Sequence, residues 1–573
     1  MWTKSLEVVG VVFCLILGLT VGNVFGETVP SVRERPYQVF AFNDLGMHCY
    51  DTDYSVFTIL PPFNVLHAQV LRRGPLPQLQ NDSQVDVYYK AKRDPSGSIN
   101  RTSGSINGVP KTNFWDYVQG LFGLTLQVNQ GIPVPPPGGP SAVMPGPGNV
   151  RQPFVHGYNF DMNWFTAAGI PITQLDDRMR SNPYPLMNVQ ATRNNRGVGG
   201  LPTVVPVSYE MNCSDCHATG QNAADSTVQT KYGIAGWSTA QDPVIQYKEN
   251  ILILHDAANV TTLMSSQPVL CASCHYSPAL DLAGSGPPNA LPWMSHAVHG
   301  FHGQLLDGLG NPVFPRTRAT GSNPCYLCHP GIKTQCFRGV MAQAGLVCVD
   351  CHGNMLAVGG VGQVTKRYPW VDMPLCQSCH TGDVLSNFDG QLIRRTAYID
   401  SADVATPIVA TNNRFAEEPA PVGYPGMYGF KLYRNSLGHK NGNMACESCH
   451  GSPHAEWPTR EVNDNLAAKK IQGHAGPIIE CVACHGGGLA PTLGGPHGLH
   501  NVNSHRWIEG HQDFFDIYRT ECQACHGVFG HGTVLSKAAA NRVFEGEEID
   551  LVRIPKGTQV HCALCHENKL AGN

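Results

Sequence analysis

Residues 443–457 read NMACESCHGSPHAEW, placing Cys446, Cys449 and His450 in one C-x-x-C-H run and His454 four positions later. Thiols three residues apart on one helical turn point the same way. The histidine that follows directly is then held beneath whatever the two sulfurs grip. C-x-x-C-H is the attachment pattern of c-type haem, in which both sulfurs bond the porphyrin and the histidine is the proximal ligand of the iron. His454 is tethered too closely to His450 to pass around the porphyrin edge and reach the opposite face. As a ligand it belongs to a different haem, which turns the stretch from one four-ligand site into a strut between two irons.

The arrangement recurs along the chain. Of 21 cysteines, eighteen fall in nine such runs. They are Cys213, Cys216 and His217; Cys271, Cys274 and His275; Cys325, Cys328 and His329; Cys348, Cys351 and His352; and Cys376, Cys379 and His380. After a gap come Cys446, Cys449 and His450; Cys481, Cys484 and His485; Cys522, Cys525 and His526; and Cys562, Cys565 and His566. Zinc also takes paired cysteines, but it needs no histidine at a fixed fifth position, and nine pairs do not divide into four-cysteine sites. Disulfides leave the histidines equally unexplained. The cysteines therefore predict nine c-type haems, with the nine motif histidines as proximal iron ligands.

In this pattern the chain resembles the multihaem c-type cytochromes. It is most similar to the large exported ones of metal-reducing bacteria, some of which assemble into extracellular conducting filaments. The resemblance rests on the nine motifs, covers residues 213–566, and includes the phrases CESCHGSPHAEW and GGPHGLHNVNSHRW.

Each iron takes a second axial ligand, and its identity sets the chemistry. The chain has 25 histidines, so sixteen remain after the motifs are served. His439 and His474 each stand seven residues before a motif, in GHKNGNMAC and GHAGPIIEC, and His511 opens GHQDFFDIYRTEC. That internal repeat gives each module one proximal and one spare imidazole. His296, His299 and His302 lie in SHAVHGFHG, His497 and His500 in GPHGLH, and His454 in the opening stretch. His255 ends a predicted helix that Asp242 caps and Pro243 begins, with Val244 and Ile251 on its face. These ten are the distal candidates. His48, His67, His156, His505, His531 and His561 read instead as surface or hydrogen-bonding residues. Methionine ligation would raise the potential, but spare histidines beside the motifs are abundant and Met444 reads as packing.

The flanking sequence sets the frame. Residues 1–26 have Lys4 before an apolar run over residues 8–20, then Val24-Phe25-Gly26, the layout of a cleaved export signal. An uncleaved anchor is the alternative, weakened by Gly10, Gly18 and Gly22. No other segment reads as membrane-spanning. Net charge is −4 and charged residues are 14%, which gives no basic surface for nucleic acid. Residues 27–205 contain no haem motif, and YQVFAF, SVFTIL, NVLHAQVL and VDVYYKAK read as strands. They predict a haem-free β-rich module that caps the protein, shields haems or docks a partner. SGSINRTSGSING and GIPVPPPGGPSAVMPGPG read as loops. A gap of 70 residues between Cys376 and Cys446 divides the rest into five motifs in 206–385 and four in 386–573. The expected fold there is mostly irregular, with short helices around covalently bound haems that replace a side-chain core, and little sheet. Cys49 and Cys336 are either a disulfide or two buried thiols.

Bis-histidine iron has no open position for substrate, so these features predict an electron-transfer protein rather than an enzyme. Its partners would be redox cytochromes or extracellular electron acceptors, with self-association into filaments also open, and its location periplasmic, outer-surface or extracellular. The alternative is a multihaem reductase of a small nitrogen or sulfur oxyanion, which needs one open haem.

Overall fold

The computed structural model describes residues 35–133, 141–156, 164–314, 323–362 and 444–566, except 487–488, 490, 492, 494, 497–498, 528, 533 and 547–548. The export signal, Cys376, Cys379, His380, His439, His497 and the boundary at 385/386 lie outside the described residues.

The β-branched and aromatic runs after residue 35 form two antiparallel sheets. In the first, Tyr37–Asn43 pairs with Val65–Arg72, which pairs with Phe165–Ala168 and, at its end, Gln78–Gln80; Val155–His156 closes the order. In the second the order is Arg196–Val204, Leu186–Arg193, Asp86–Lys92 and Gln152–Pro153. Val39, Ala68 and Val70 from one sheet share a core with Val87, Tyr89, Val189 and Leu201 from the other. Asp86–Lys92 alternates buried and half-exposed residues, as expected where one face meets water. Val65–Arg72 does not alternate: all but its last residue are buried. Its outer face is covered: His67 stacks on Trp164 at 4.3 Å, and Gln69 binds Ala445 and Ser448. Within the SGSIN loop, Asn107 and Gly108 take φ of 51° and 80° and join the short strands Ser105–Ile106 and Val109–Pro110. Two consecutive left-handed residues are what a tight hairpin turn requires, and Asn-Gly supplies them cheaply.

After residue 210 the backbone is mostly loop and short helix. The helix Pro243–Asn259 begins where the cap and proline predict, Asp242 accepting from the N–H groups of Val244 and Ile245. Its buried face is not purely apolar: it carries Lys248, whose Nζ binds Asp51 at 3.0 Å and the Asp53 and Phe57 carbonyls. Further helices run over Met294–Gln304, Leu466–Gln472 and His505–Ile517. Arg542–Gly546 and Ile549–Ile554 form one antiparallel pair. Among the described residues no helix is long and apolar enough to cross a membrane.

The β module is stitched into the region of the C-x-x-C-H motifs. Val207–Ser208 pairs with His48–Cys49, and Val269–Leu270 pairs with Phe57–Thr58, both parallel. Gln69 accepts from Ala445 N at 3.0 Å and Ser448 Oγ at 2.8 Å, inside the CESCH motif. Arg73 Nε reaches the Ala483 carbonyl at 3.1 Å inside CVACH. An irregular chain has few ladders of its own, so its buried N–H and C=O groups are satisfied by side chains of the module.

Glu210 is one such stitch. Its carboxylate accepts from Ile332 N and Lys333 N at 3.0 Å and from Thr334 N at 2.7 Å. Burial works to raise its pKa, but these donors outweigh burial and hold it below the ordinary 4.5. A depressed carboxylate contributes stability above its unfolded-state value and loses it as pH falls through the folded one. Glu210→Gln is therefore expected to lower the thermal midpoint at neutral pH and to flatten the acid limb below pH 4.5. A midpoint-versus-pH series with an unchanged acid limb would rule this out.

Candidate metal centres

Eight of the nine motifs lie in described residues, and all eight are tight turns. Four are α-helical, within Ser214–His217, Cys348–His352, Cys446–His450 and Arg519–His526. Four are 3-10 turns followed by the histidine: Cys271–Ser273, Pro324–Leu327, Cys481–Ala483 and Cys562–Leu564. The histidine N–H donates to the first cysteine's carbonyl at 2.9 Å for His275, 2.8 Å for His329 and His485, and 3.0 Å for His566. Each of these turns thus brings the histidine backbone back over the first cysteine of its motif.

Six of the eight motif histidines face a second imidazole from elsewhere in the chain. The ring-centroid separations are 6.3 Å for His217 with His302, 6.4 Å for His275 with His255, and 5.9 Å for His329 with His299. They are 6.1 Å for His352 with His454, 6.4 Å for His526 with His500, and 5.6 Å for His566 with His511. Metal–imidazole bonds are about 2 Å long, so two rings on opposite sides of one ion sit roughly 6 Å apart between centroids. For His511 and His566 the facing atoms are the two Nε2, 3.5 Å apart.

The outer nitrogens fix which atom is offered. A carbonyl can only accept, so an imidazole whose Nδ1 meets one carries its proton there and leaves Nε2 as a bare lone pair. His275 meets Pro292 O at 3.0 Å, His299 meets Ser295 O at 2.8 Å, and His302 meets Val298 O at 2.7 Å. His511 meets Ile508 O at 2.8 Å and His526 meets Val560 O at 3.1 Å. At His255 the partner is the Thr261 hydroxyl at 3.0 Å, whose own proton goes to Asp256 at 2.6 Å. Burial, with the facing imidazole second, pushes His217 down to about 4 and His500 to about 3, and burial pushes His454 to about 4. These rings are neutral at pH 7 and able to coordinate.

The donor set suits haem. Two opposed imidazoles leave the equatorial positions to a tetradentate planar ligand, and two thiols per motif stand ready to anchor it. Among the described residues no group of three or more His, Cys, Asp or Glu side chains converges on one point; a tetrahedral zinc site gathers four donors.

Other candidates are placed differently. His474 binds Glu480 through Nε2 at 2.9 Å and Ala475 O through Nδ1 at 3.1 Å, so both nitrogens are engaged in hydrogen bonds. His296 is buried, and a Cβ on Gly360 would come within 3.2 Å of its Nε2. Of the remaining motif histidines, His450 is exposed and His485 half-buried. His48 and His67 are buried rather than superficial, the first on Asp44 at 2.7 Å and the second on Thr166 at 3.0 Å. Cys49 and Cys336 are unbonded thiols, which corrects the disulfide alternative. Burial, and next the Cys336 sulfur, raise Cys49; burial pushes Cys336 up to about 12.

Neighbouring motifs are tied by short links. Pro243–Asn259 carries His255 toward His275 and also Asn250, whose amide donates to the His217 carbonyl at 2.9 Å. Met294–Gln304 serves both His217 and His329. Asn323, ahead of Cys325, donates to Cys348 Sγ at 2.8 Å. His454 brings the CESCH segment to His352. Ile478 N donates to Cys449 O at 2.8 Å ahead of Cys481. Glu480 then binds Asn503 and Arg542, and Cys562 N donates to Gly530 O at 2.9 Å beyond the Cys522 motif. Two of these links carried a sequence cue: His454, whose tether to His450 is too short to serve the same centre, and His255, on the helix that Asp242 caps. No family model, curated protein or solved structure matches this chain.

Proposed function

We propose that this chain is an exported c-type cytochrome with nine haems that relays electrons to another cytochrome or to an extracellular acceptor, alone or as a filament subunit. The observation that carries the reading is the set of six opposed imidazole pairs, each containing one motif histidine. Bound haem supplies reversible one-electron exchange at each centre. Each imidazole pair would hold one haem iron and leave substrate no ligand position, and the short links would keep neighbouring centres close. Among the described residues, the short links support the order Cys271, Cys213, Cys325, Cys348, Cys446, Cys481 and then the Cys522 and Cys562 pair. Among these eight motifs chain order is broken once, where the Pro243–Asn259 helix lies between the first two motifs in sequence.

Intact-mass analysis and electron paramagnetic resonance of the oxidised, purified protein test this together. The expected result is nine covalent haems and low-spin iron only. Nine haems with a stoichiometric high-spin centre would favour the oxyanion reductase, and absence of covalent haem would overturn both.

A further inference from the structure

His454 differs from the other paired imidazoles in how its backbone is held. Its φ is +65°, in the left-handed region that a residue with a Cβ rarely adopts. Such a conformation persists only where its surroundings over-determine it. Here they do. The His454 carbonyl accepts from Arg338 N at 2.7 Å and Gly339 N at 2.9 Å, and its N–H donates to Glu456 Oε1 at 2.8 Å. The Arg338 guanidinium, paired with Asp464, also donates to the Gly46 carbonyl at 2.8 Å and the Cys336 carbonyl at 3.1 Å. Gly46, itself at φ +79°, lies so close that a Cβ there would fall 1.9 Å from the Pro453 carbonyl and 3.1 Å from His454 Cβ. Phe337 stands edge-on to the ring at 5.8 Å, and Cys336 Sγ lies 3.7 Å from Nδ1.

We propose that Gly46 and Arg338, one in the haem-free module and neither in a haem motif, are positioning residues for the distal ligand of the Cys348 centre. Arg338 ties the 335–339 loop to the module, and the two surfaces close on Pro453-His454 from opposite sides. The clamp turns the imidazole away from His450, four residues before it, and onto His352, 102 positions earlier in the chain. The haem-free module thereby completes a centre to which it contributes no ligand.

The proposal rests on the haem reading, and its test separates the two. Purified full-length protein carrying Gly46→Ala or Arg338→Lys is compared with wild type by haem mapping of the Cys348–Cys351 peptide and by electron paramagnetic resonance. Each variant is expected to keep haem on that peptide while one low-spin centre becomes high-spin, and added imidazole should restore the low-spin signal. A general loss of stability would not give one site-specific, imidazole-rescued change. Haem on the peptide with every centre still low-spin in the variants would overturn the clamp. No haem on the wild-type peptide would overturn the haem reading there, and the clamp with it. If Gly46→Ala does not accumulate, Arg338→Lys decides alone, since it keeps a cation beside Asp464 while losing the fork that reaches Gly46.

Discussion

Asp464→Asn is expected to lower the unfolding free energy by roughly 3–5 kcal/mol, the cost of stranding a buried charge. The Arg338 side chain is 2% exposed and Asp464 4%, with Nε and Nη2 on the two carboxylate oxygens at 2.6 and 2.8 Å. Burial alone would lower the Arg338 pKa, and the Asp464 carboxylate outweighs it; a guanidinium stays charged in proteins even without that partner. Asparagine keeps the shape and removes the charge, so no cavity contributes to the loss. Asp464 also accepts from Thr459 Oγ1 at 3.0 Å, and its carbonyl from Trp457 Nε1 at 2.8 Å, which seats the pair in the segment just after His454. Denaturant unfolding of the holoprotein measures the effect. A loss below about 1 kcal/mol, the size of an exposed pair, would mean that the pair is solvated. Arg338→Met with Asp464→Leu should recover part of the loss, because replacing both partners removes the stranded charge.

Removing two of the three imidazoles of the Met294–Gln304 helix, those of His299 and His302, is expected to open two different centres. His299 and His302 are three residues apart, about 60° short of a full turn, so their rings diverge. His299 reaches His329 and His302 reaches His217. His299→Ala should convert only the Cys325 centre to high spin, His302→Ala only the Cys213 centre, and the double variant both. Neither ligand is shared, so the two spin changes should add. Because these centres are consecutive in the proposed order, the double variant should also slow electron exchange between the ends of the chain more than either single variant. Electron paramagnetic resonance and stopped-flow reduction of the holoprotein read the two effects. Spectra in which His299→Ala perturbs the Cys213 centre, or perturbs neither, would refute the assignment.

Much of the local structure was legible because its causes are contiguous. Asp242 and Pro243 announce the start of the helix that carries His255, through one cap and one fixed φ. The β-branched runs at 37–42 and 64–71 lie within strands because side chains of that kind suit a pleated, buried surface. His474 shares the Gly-His spacing of its module, and its Nε2 lies on Glu480, a carboxylate six residues ahead that the repeat does not predict. Equally hidden were the buried cations, since Lys248 meets Asp51 across 197 residues and Arg338 meets Asp464 across 126.

By itself, then, the sequence determined the nine C-x-x-C-H motifs, because the proposed attachment, two thioether bonds and a proximal imidazole, requires neighbours within five residues. Which imidazole faces which motif was decided only by the tertiary structure. Opposed ligands approach one ion from two sides, and a chain too short to pass around the cofactor must send the second ligand from a distant segment. That segment is aimed by packing, by carbonyls that seat each Nδ1, and at His454 by contacts from the haem-free module, none of which leaves a mark in local sequence.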